Sequence, residues 1–310
     1  MNRQMVKASA FRYIRALTVG LMFLATSAHA TSLAAEAEVV ATGLHFPEGA
    51  IFIGETLYFV DYATSRVLRM DHEKVETVWY QDGCGANGLV ALRGELLVAC
   101  YDNGTIVRMT SDGSVQETIT HDSTGGVFVR PNDLTAGAAG GVYFTGSGSE
   151  LVLGKVYYRD ATGQVTMVAD GINYANGLAV ANDGHLLYLA ESKKHRLLTF
   201  EIGANGRLSH QAEFVQLGDI LADGQHDVFT PDGVRLDKHG RLFVGLYDGG
   251  GFAVLTGDGK LIRKVELRGS HHASLAISPD GKSVFVTATD DTPDGSGRGE
   301  ILKVDNPVVE

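Results

Sequence analysis

The chain has 310 residues, 44% of them hydrophobic and 20% charged, with 39 glycines, six prolines and two cysteines. This composition excludes a disordered chain, a collagen-like repeat and a disulfide scaffold, and the length suffices to bury a large core. The net charge is −11, and removing the four basic residues of positions 1–30 (Arg3, Lys7, Arg12, Arg15) leaves −15 on the remainder, which argues against nucleic-acid backbones and anionic membrane surfaces and is compatible with a bound cation.

Residues 1–30 read as an export signal. Basic residues come first, an apolar run follows from Leu17 to Ala25, and Ala28-His29-Ala30 supplies a small-x-small cleavage pattern. The run is too short for a membrane-spanning helix, which disfavours the rival reading of an uncleaved anchor. The expected product is an exported protein, periplasmic or secreted, free of the membrane once residues 1–30 are removed. Cys84 and Cys100 flank a hairpin formed by Leu89–Leu92 and Glu95–Cys100. In an oxidising compartment they either bond to each other or remain two thiols, and the sequence leaves both open.

From Thr56 onward the chain repeats one shape: an alternating apolar strand, a polar break and a returning strand. The six copies centre on Phe59, Val98, Phe144, Leu189, Val244 and Val286, with spacings of 39, 46, 45, 55 and 42 residues. Asp-Gly pairs such as Asp112-Gly113 and Asp258-Gly259 close the hairpins. No sustained helical period occurs after the signal. A repeat of this length with about four strands per unit predicts an all-β fold, a six-bladed β-propeller over residues 31–310 as a single domain. A large β-sandwich is the alternative and does not explain the constant phase.

A second regularity lies upstream of each centre. Glu48, Asn87, Asn132, Asn176, Asp232 and Ser274 precede it by 11, 11, 12, 13, 12 and 12 residues. The first strand of every blade lines a propeller's channel, so equivalent strand starts converge on the axis. Glu48, Asn132, Asn176 and Asp232 would then supply two carboxylates and two amide oxygens, a set suited to a hard divalent cation. Prolines stand directly before Glu48, Asn132 and Asp232 and would hold those side chains still. Each residue also has a plain reading. Asn87-Gly88, Asn176-Gly177 and Asp232-Gly233 have the composition of simple turns, as have the chain's many other Asp-Gly pairs. Arg130 would point across the channel mouth and hold a substrate oxygen, or else form a surface salt bridge. His271 and His272 adjoin the sixth position, and His45 and His226 lie near Glu48 and Asp232. None has zinc-site spacing.

Phe46-Pro47-Glu48-Gly49, Arg130-Pro131-Asn132-Asp133, the stretch NGLAVANDGHLLYLAES from Asn176 and PDGVRLDKHGRLFVG from Pro231 together resemble the gluconolactonase, regucalcin and senescence-marker-protein family over residues 38–306. The resemblance implies one divalent metal on the axis of a six-bladed propeller. The ligands would be Glu48, Asn176 and Asp232, with Asn132 bound to metal or substrate and Arg130 in the substrate pocket, and the commonest activity is lactone hydrolysis. Calcium is the first expectation, with magnesium, manganese and zinc as other candidates. Phe144-Thr145-Gly146-Ser147 departs from the family's Phe-Thr-Asp pattern, and the loop from Gly218 to Phe229 is long enough to reshape specificity. The expected function is metal-dependent opening of a small, sugar-like lactone, with Asp232 as ligand and general base. The rivals are organophosphate or aryl-ester hydrolysis on the same scaffold, and a non-catalytic exported propeller that binds a ligand or protein.

Overall fold

The computed structural model describes residues 33–34, 36–72, 74–137, 140–222 and 228–309. The export signal expected over residues 1–30 lies outside them, as do His226 and the middle of the loop between Gly218 and Phe229. Among the described residues no helix is long and apolar enough to cross a membrane.

The chain forms six sheets arranged as a β-propeller, all antiparallel except that Leu33–Ala34 adds a short parallel strand to the outer edge of blade five. Their innermost strands are Pro47–Ile53, Ala86–Leu92, Pro131–Ala136, Ala175–Val180, Pro231–Leu236 and Leu275–Ile277. The six repeat centres all fall on the second strands, Thr56–Asp61, Glu95–Cys100, Val142–Gly146, Leu186–Glu191, Leu242–Leu246 and Ser283–Asp290. The ring closes out of sequence order. Glu38–Leu44, ahead of blade one, pairs antiparallel with Arg298–Asp305 and becomes the outer strand of blade six, so the two ends of the ring are hydrogen-bonded into one sheet that locks the ring closed.

The second strands read as unbroken apolar runs because both of their faces are buried. In blade two, Leu96 and Val98 pack with Val60 and Val67 of blade one. Leu97 and Ala99 point the other way, against Leu134 and Phe144 of blade three. Strand alternation thus splits one run between two cores. Six such cores, one between each pair of neighbouring blades, make up the interior. Among the described residues α-helix is confined to one turn, Leu217–Leu221, at the start of the long loop; its Leu217 and Leu221 sit in the core between blades four and five.

The two cysteines are joined: the Cys84–Cys100 disulfide spans 16 residues, with its Cα atoms 4.6 Å apart. It ties the entry of blade two's inner strand to the end of its second strand, where Ala86 pairs with Cys100.

Candidate active site

Five inner strands share one irregularity. Pairing with the second strand shifts register between Glu48 and Ile51, Ala86 and Leu89, Pro131 and Leu134, Ala175 and Leu178, and Pro231 and Val234. A bulge near the start of each strand re-aims the side chains around it, and Asn87, Asn132, Asn176 and Asp232 sit within it while Glu48 flanks it. They belong to strands, which rules out the simple-turn reading of the Asn-Gly and Asp-Gly pairs at these positions. The glycines serve close approach. A Cβ on Gly88 would stand 2.1 Å from the carbonyl oxygen of Asn132, and one on Gly177 2.1 Å from that of Asp232. Only glycine lets neighbouring inner strands come this near around the axis.

These five side chains line one cavity of about 510 Å³ that opens on one face of the ring. Glu48, Asn132, Asn176 and Asp232 are therefore gathered as the phase argument expects. Ser274, the sixth, does not line it. Its hydroxyl is taken up by the backbone N–H of Ala50 at 3.1 Å, bridging blades six and one.

Five aromatic side chains wall the cavity: Phe46, Tyr62, Tyr101, Tyr174 and Tyr247. They touch in sequence. Phe46 lies 6.3 Å from Tyr247 and 6.1 Å from Tyr62 by ring centroids, and Tyr62 packs edge-on to Tyr101 at 5.9 Å. The Tyr101 and Tyr174 hydroxyls share a 2.8 Å hydrogen bond. Lys193, His195 and Asp248 line the more polar side.

The floor is electrostatically tense. Glu48 and Asp232 are buried. Burial, then the Asp232 charge, pushes the Glu48 carboxyl well above its ordinary range. Burial, then the Asp133 charge, pushes Asp232 up to about 8. The Arg235 guanidinium pulls both back down.

Asn176 adds an unsatisfied acceptor. Its Nδ2 donates to Ser192 Oγ at 3.1 Å, and Ser192 Oγ donates to the Pro231 carbonyl at 2.7 Å. The amide is thereby oriented, yet its Oδ1 is buried with no hydrogen-bond partner. An orphaned amide oxygen beside two carboxylates that resist ionisation fits a hard cation with oxygen ligands. Among the described residues no cluster of three or more His, Cys, Asp and Glu is placed to hold a metal ion. A cation here would therefore depend on the amide oxygens of Asn132 and Asn176 as much as on the carboxylates.

Arg130 is not among the residues that line the cavity but lies against one of them. It is exposed, and its guanidinium lies 5.5 Å from the Tyr101 ring centroid. Its backbone is left-handed (φ 52°), as is that of Tyr174 (φ 64°), each two residues before an axial asparagine. His271 stacks on Tyr247 at 4.3 Å, while His272 is buried and bonded to the Arg268 carbonyl. His45 lies 3.7 Å from Asp61.

Sequence reasoning missed the aromatic wall, although part of it was readable. Tyr62, Tyr101 and Tyr247 each follow a repeat centre by three residues, and Ser147 and Ser192 occupy that position in blades three and four. The departure at Gly146-Ser147 is thus filled by a structural serine. Asp133 and Arg235, directly below the site, were missed as well.

The profile of the SMP-30/Gluconolactonase/LRE-like region matches residues 46–290. The pentonolactonase XacC of Haloferax volcanii is 25% identical over 267 residues, covering 84% of this chain and 88% of that protein. Among solved structures, a gluconolactonase from Xanthomonas campestris superposes with a TM-score of 0.72 at 20% identity, covering 87% of this chain and 90% of the other. Regucalcin from Agrobacterium tumefaciens, described as a calcium-binding protein, gives 0.71 at 17% identity over 89% and 95%. The same six-bladed frame is therefore shared with both. With its profile match running from the residue two before Glu48 to the end of blade six's second strand, the chain belongs to the SMP-30/gluconolactonase/LRE-like family.

Proposed function

We propose that this protein hydrolyses a small lactone in the axial cavity, with one divalent cation, calcium first, held by Glu48, Asn132, Asn176 and Asp232. The observation that carries the reading is the pairing of two buried carboxylates with the unpartnered Oδ1 of Asn176 at the bottom of a walled cavity. Lactonase names among its relatives and the calcium-binding description of regucalcin support it. When bound, the cation supplies Lewis-acid polarisation of the substrate carbonyl.

The chain's own residues do the rest. The aromatic wall packs against the substrate ring and excludes bulk water from the floor. Asn132 is a floor group with both a donor and an acceptor, able to fix the substrate's orientation. Asp232, whose proton affinity is raised, accepts the proton of the attacking water as its oxygen bonds to the acyl carbon. The ring C–O bond then breaks, and the departing oxygen takes up that proton to give the hydroxy acid. Arg130 packs over the Tyr101 ring and braces that part of the wall.

Export remains part of the proposal. The Cys84–Cys100 disulfide supports it, since such bonds persist in oxidising compartments. The N-terminal sequence of the mature protein tests it, and a retained residue 1–30 segment refutes it.

Turnover of an aldonolactone, followed by acid release with and without chelator, tests the activity. Metal analysis of wild type beside Glu48→Gln tests the site. Chelator-sensitive turnover on phosphotriesters or aryl esters but on no lactone would transfer the site to the rival hydrolase chemistry. No metal-dependent turnover on any of these substrates would leave a binding propeller.

A further inference from the structure

Beneath the oxygen cage, blade three breaks the pattern of its neighbours. Where blades one, two, four and five follow the axial residue with Gly49, Gly88, Gly177 and Gly233, blade three has Asp133. Its carboxylate is buried and is met by Arg235, which reaches over from blade five: Nη1 lies 2.9 Å from Oδ2 and Nη2 3.3 Å from Oδ1. Blades three and five are not neighbours in the ring, so the pair spans the channel across blade four's inner strand. Both partners are further anchored. Asp133 Oδ1 accepts from the Leu134 N–H at 2.9 Å, and Arg235 Nη1 donates to the Val234 carbonyl at 2.9 Å. The void left between Glu48, Asn132, Asp133 and Asp232 is only about 10 Å³, roughly the room of one water. The ion pair therefore plugs the axis directly under the site.

We propose that Arg235 is the resident counter-ion of the axis: by pinning Asp133 beneath the cage, it leaves the cation-bound site, in which all three carboxylates are ionised, with three carboxylates against one guanidinium, an excess of two negative charges that one divalent cation neutralises. The inference rests on the cation reading above. Arg235 is on this account a positioning residue. It touches no substrate and sets how much positive charge the cage calls for. Burial makes this matching matter, because charges in a low-dielectric channel interact far more strongly than at the surface. Asp248, at the cavity mouth, is half exposed and screened by solvent.

A charge ladder tests it. Metal-free full-chain protein is titrated calorimetrically with calcium, with folding checked by circular dichroism, for wild type, Asp133→Asn, Arg235→Met and the double variant. The cage excess is one negative charge in Asp133→Asn, two in wild type and in the double variant, and three in Arg235→Met. Calcium affinity should follow that order. Asp133→Asn should bind at least about tenfold more weakly than wild type, and Arg235→Met at least about tenfold more tightly or with a second ion. The double variant should fall within about threefold of wild type. Equal affinities for Asp133→Asn and the double variant overturn the proposal, and this comparison decides even if Arg235→Met fails to fold. A wild type that binds no divalent cation sinks the cation reading and this inference together, a result distinct from a flat ladder.

Discussion

Ser147 and Ser192 play one role a blade apart. The Ser147 hydroxyl donates to the carbonyl of Ala175 at 2.9 Å, and the Ser192 hydroxyl donates to that of Pro231 at 2.7 Å. Each carbonyl belongs to the residue just before an axial side chain, Asn176 in one case and Asp232 in the other. The end of one blade's second strand thereby fixes the entry of the next blade's inner strand. Ser192 does more, since it also accepts from Asn176 Nδ2. Ser192→Ala should therefore weaken calcium binding by about tenfold or more and cost roughly 1–2 kcal/mol of stability, whereas Ser147→Ala should cost similar stability with a much smaller effect on binding. Calorimetry and denaturant unfolding of the two variants separate these effects. Equal loss of cation affinity in both would refute the special role of Ser192.

Asp61 and Glu191 form a second such pair, in blades one and four. Asp61 Oδ1 accepts from the backbone N–H of Phe46 at 2.9 Å, and Glu191 Oε1 accepts from that of Asn173 at 2.7 Å. Both carboxylates are buried at the end of a second strand and hold the loop that delivers the next wall residue, Phe46 or Tyr174. Asp61→Ala and Glu191→Ala should each cost about 1–3 kcal/mol, the penalty of leaving these partly buried donors unpaired. Amide exchange at Phe46 and Asn173 should accelerate in the respective variant. Unchanged exchange at those amides would show that the loops are held by other contacts.

The blades were legible because burial of both sheet faces turns each second strand into an apolar run, and Phe59, Val98 and Val244 mark it with constant phase. The axial residues were legible for a related reason: a bulge near the start of five of the six inner strands keeps Glu48 and Asp232 in register with the repeat. Asp133 and Arg235 were not, since 102 residues and an intervening blade separate them and periodicity carries no information about pairs across a ring. The wall was only half legible. Tyr62, Tyr101 and Tyr247 keep a fixed offset from the centres, but Phe46 and Tyr174 come from loops ahead of the inner strands. Arg130 is not among the lining residues, and its exposed guanidinium lies over the Tyr101 ring.

The disulfide has a calculable effect on the unfolded chain. A closed loop of 16 residues should contribute about 3 kcal/mol by restricting that state. Cys84→Ser/Cys100→Ser should lose roughly that much in denaturant unfolding. Because the bond also anchors the turn leading to Tyr101, catalytic efficiency should fall along with stability. A double variant as stable as wild type would mean that the inter-blade core around Leu89 and Val98 alone fixes this hairpin.

Stability of the metal-free protein should run against pH in an unusual direction. Glu48 and Asp232 both have folded-state proton affinities above those of the unfolded chain, with Asp232 at about 8. Between about pH 4, where an ordinary carboxyl ionises, and pH 8 the folded state therefore holds more protons than the unfolded one, and stability falls as pH rises through that window. Buried His272 acts oppositely, since its lowered affinity makes the folded state lose stability below its unfolded value near 6.5. Comparison with Asp232→Asn cancels the histidine contribution. With chelator present, the melting temperature of wild type relative to Asp232→Asn should drop between pH 5 and pH 8. Saturating calcium should remove the drop, because the cation needs the deprotonated carboxylates and competes with their protons. A wild-type melting temperature that rises relative to Asp232→Asn over this range in chelator would mean that Asp232 is already ionised and compensated without a cation.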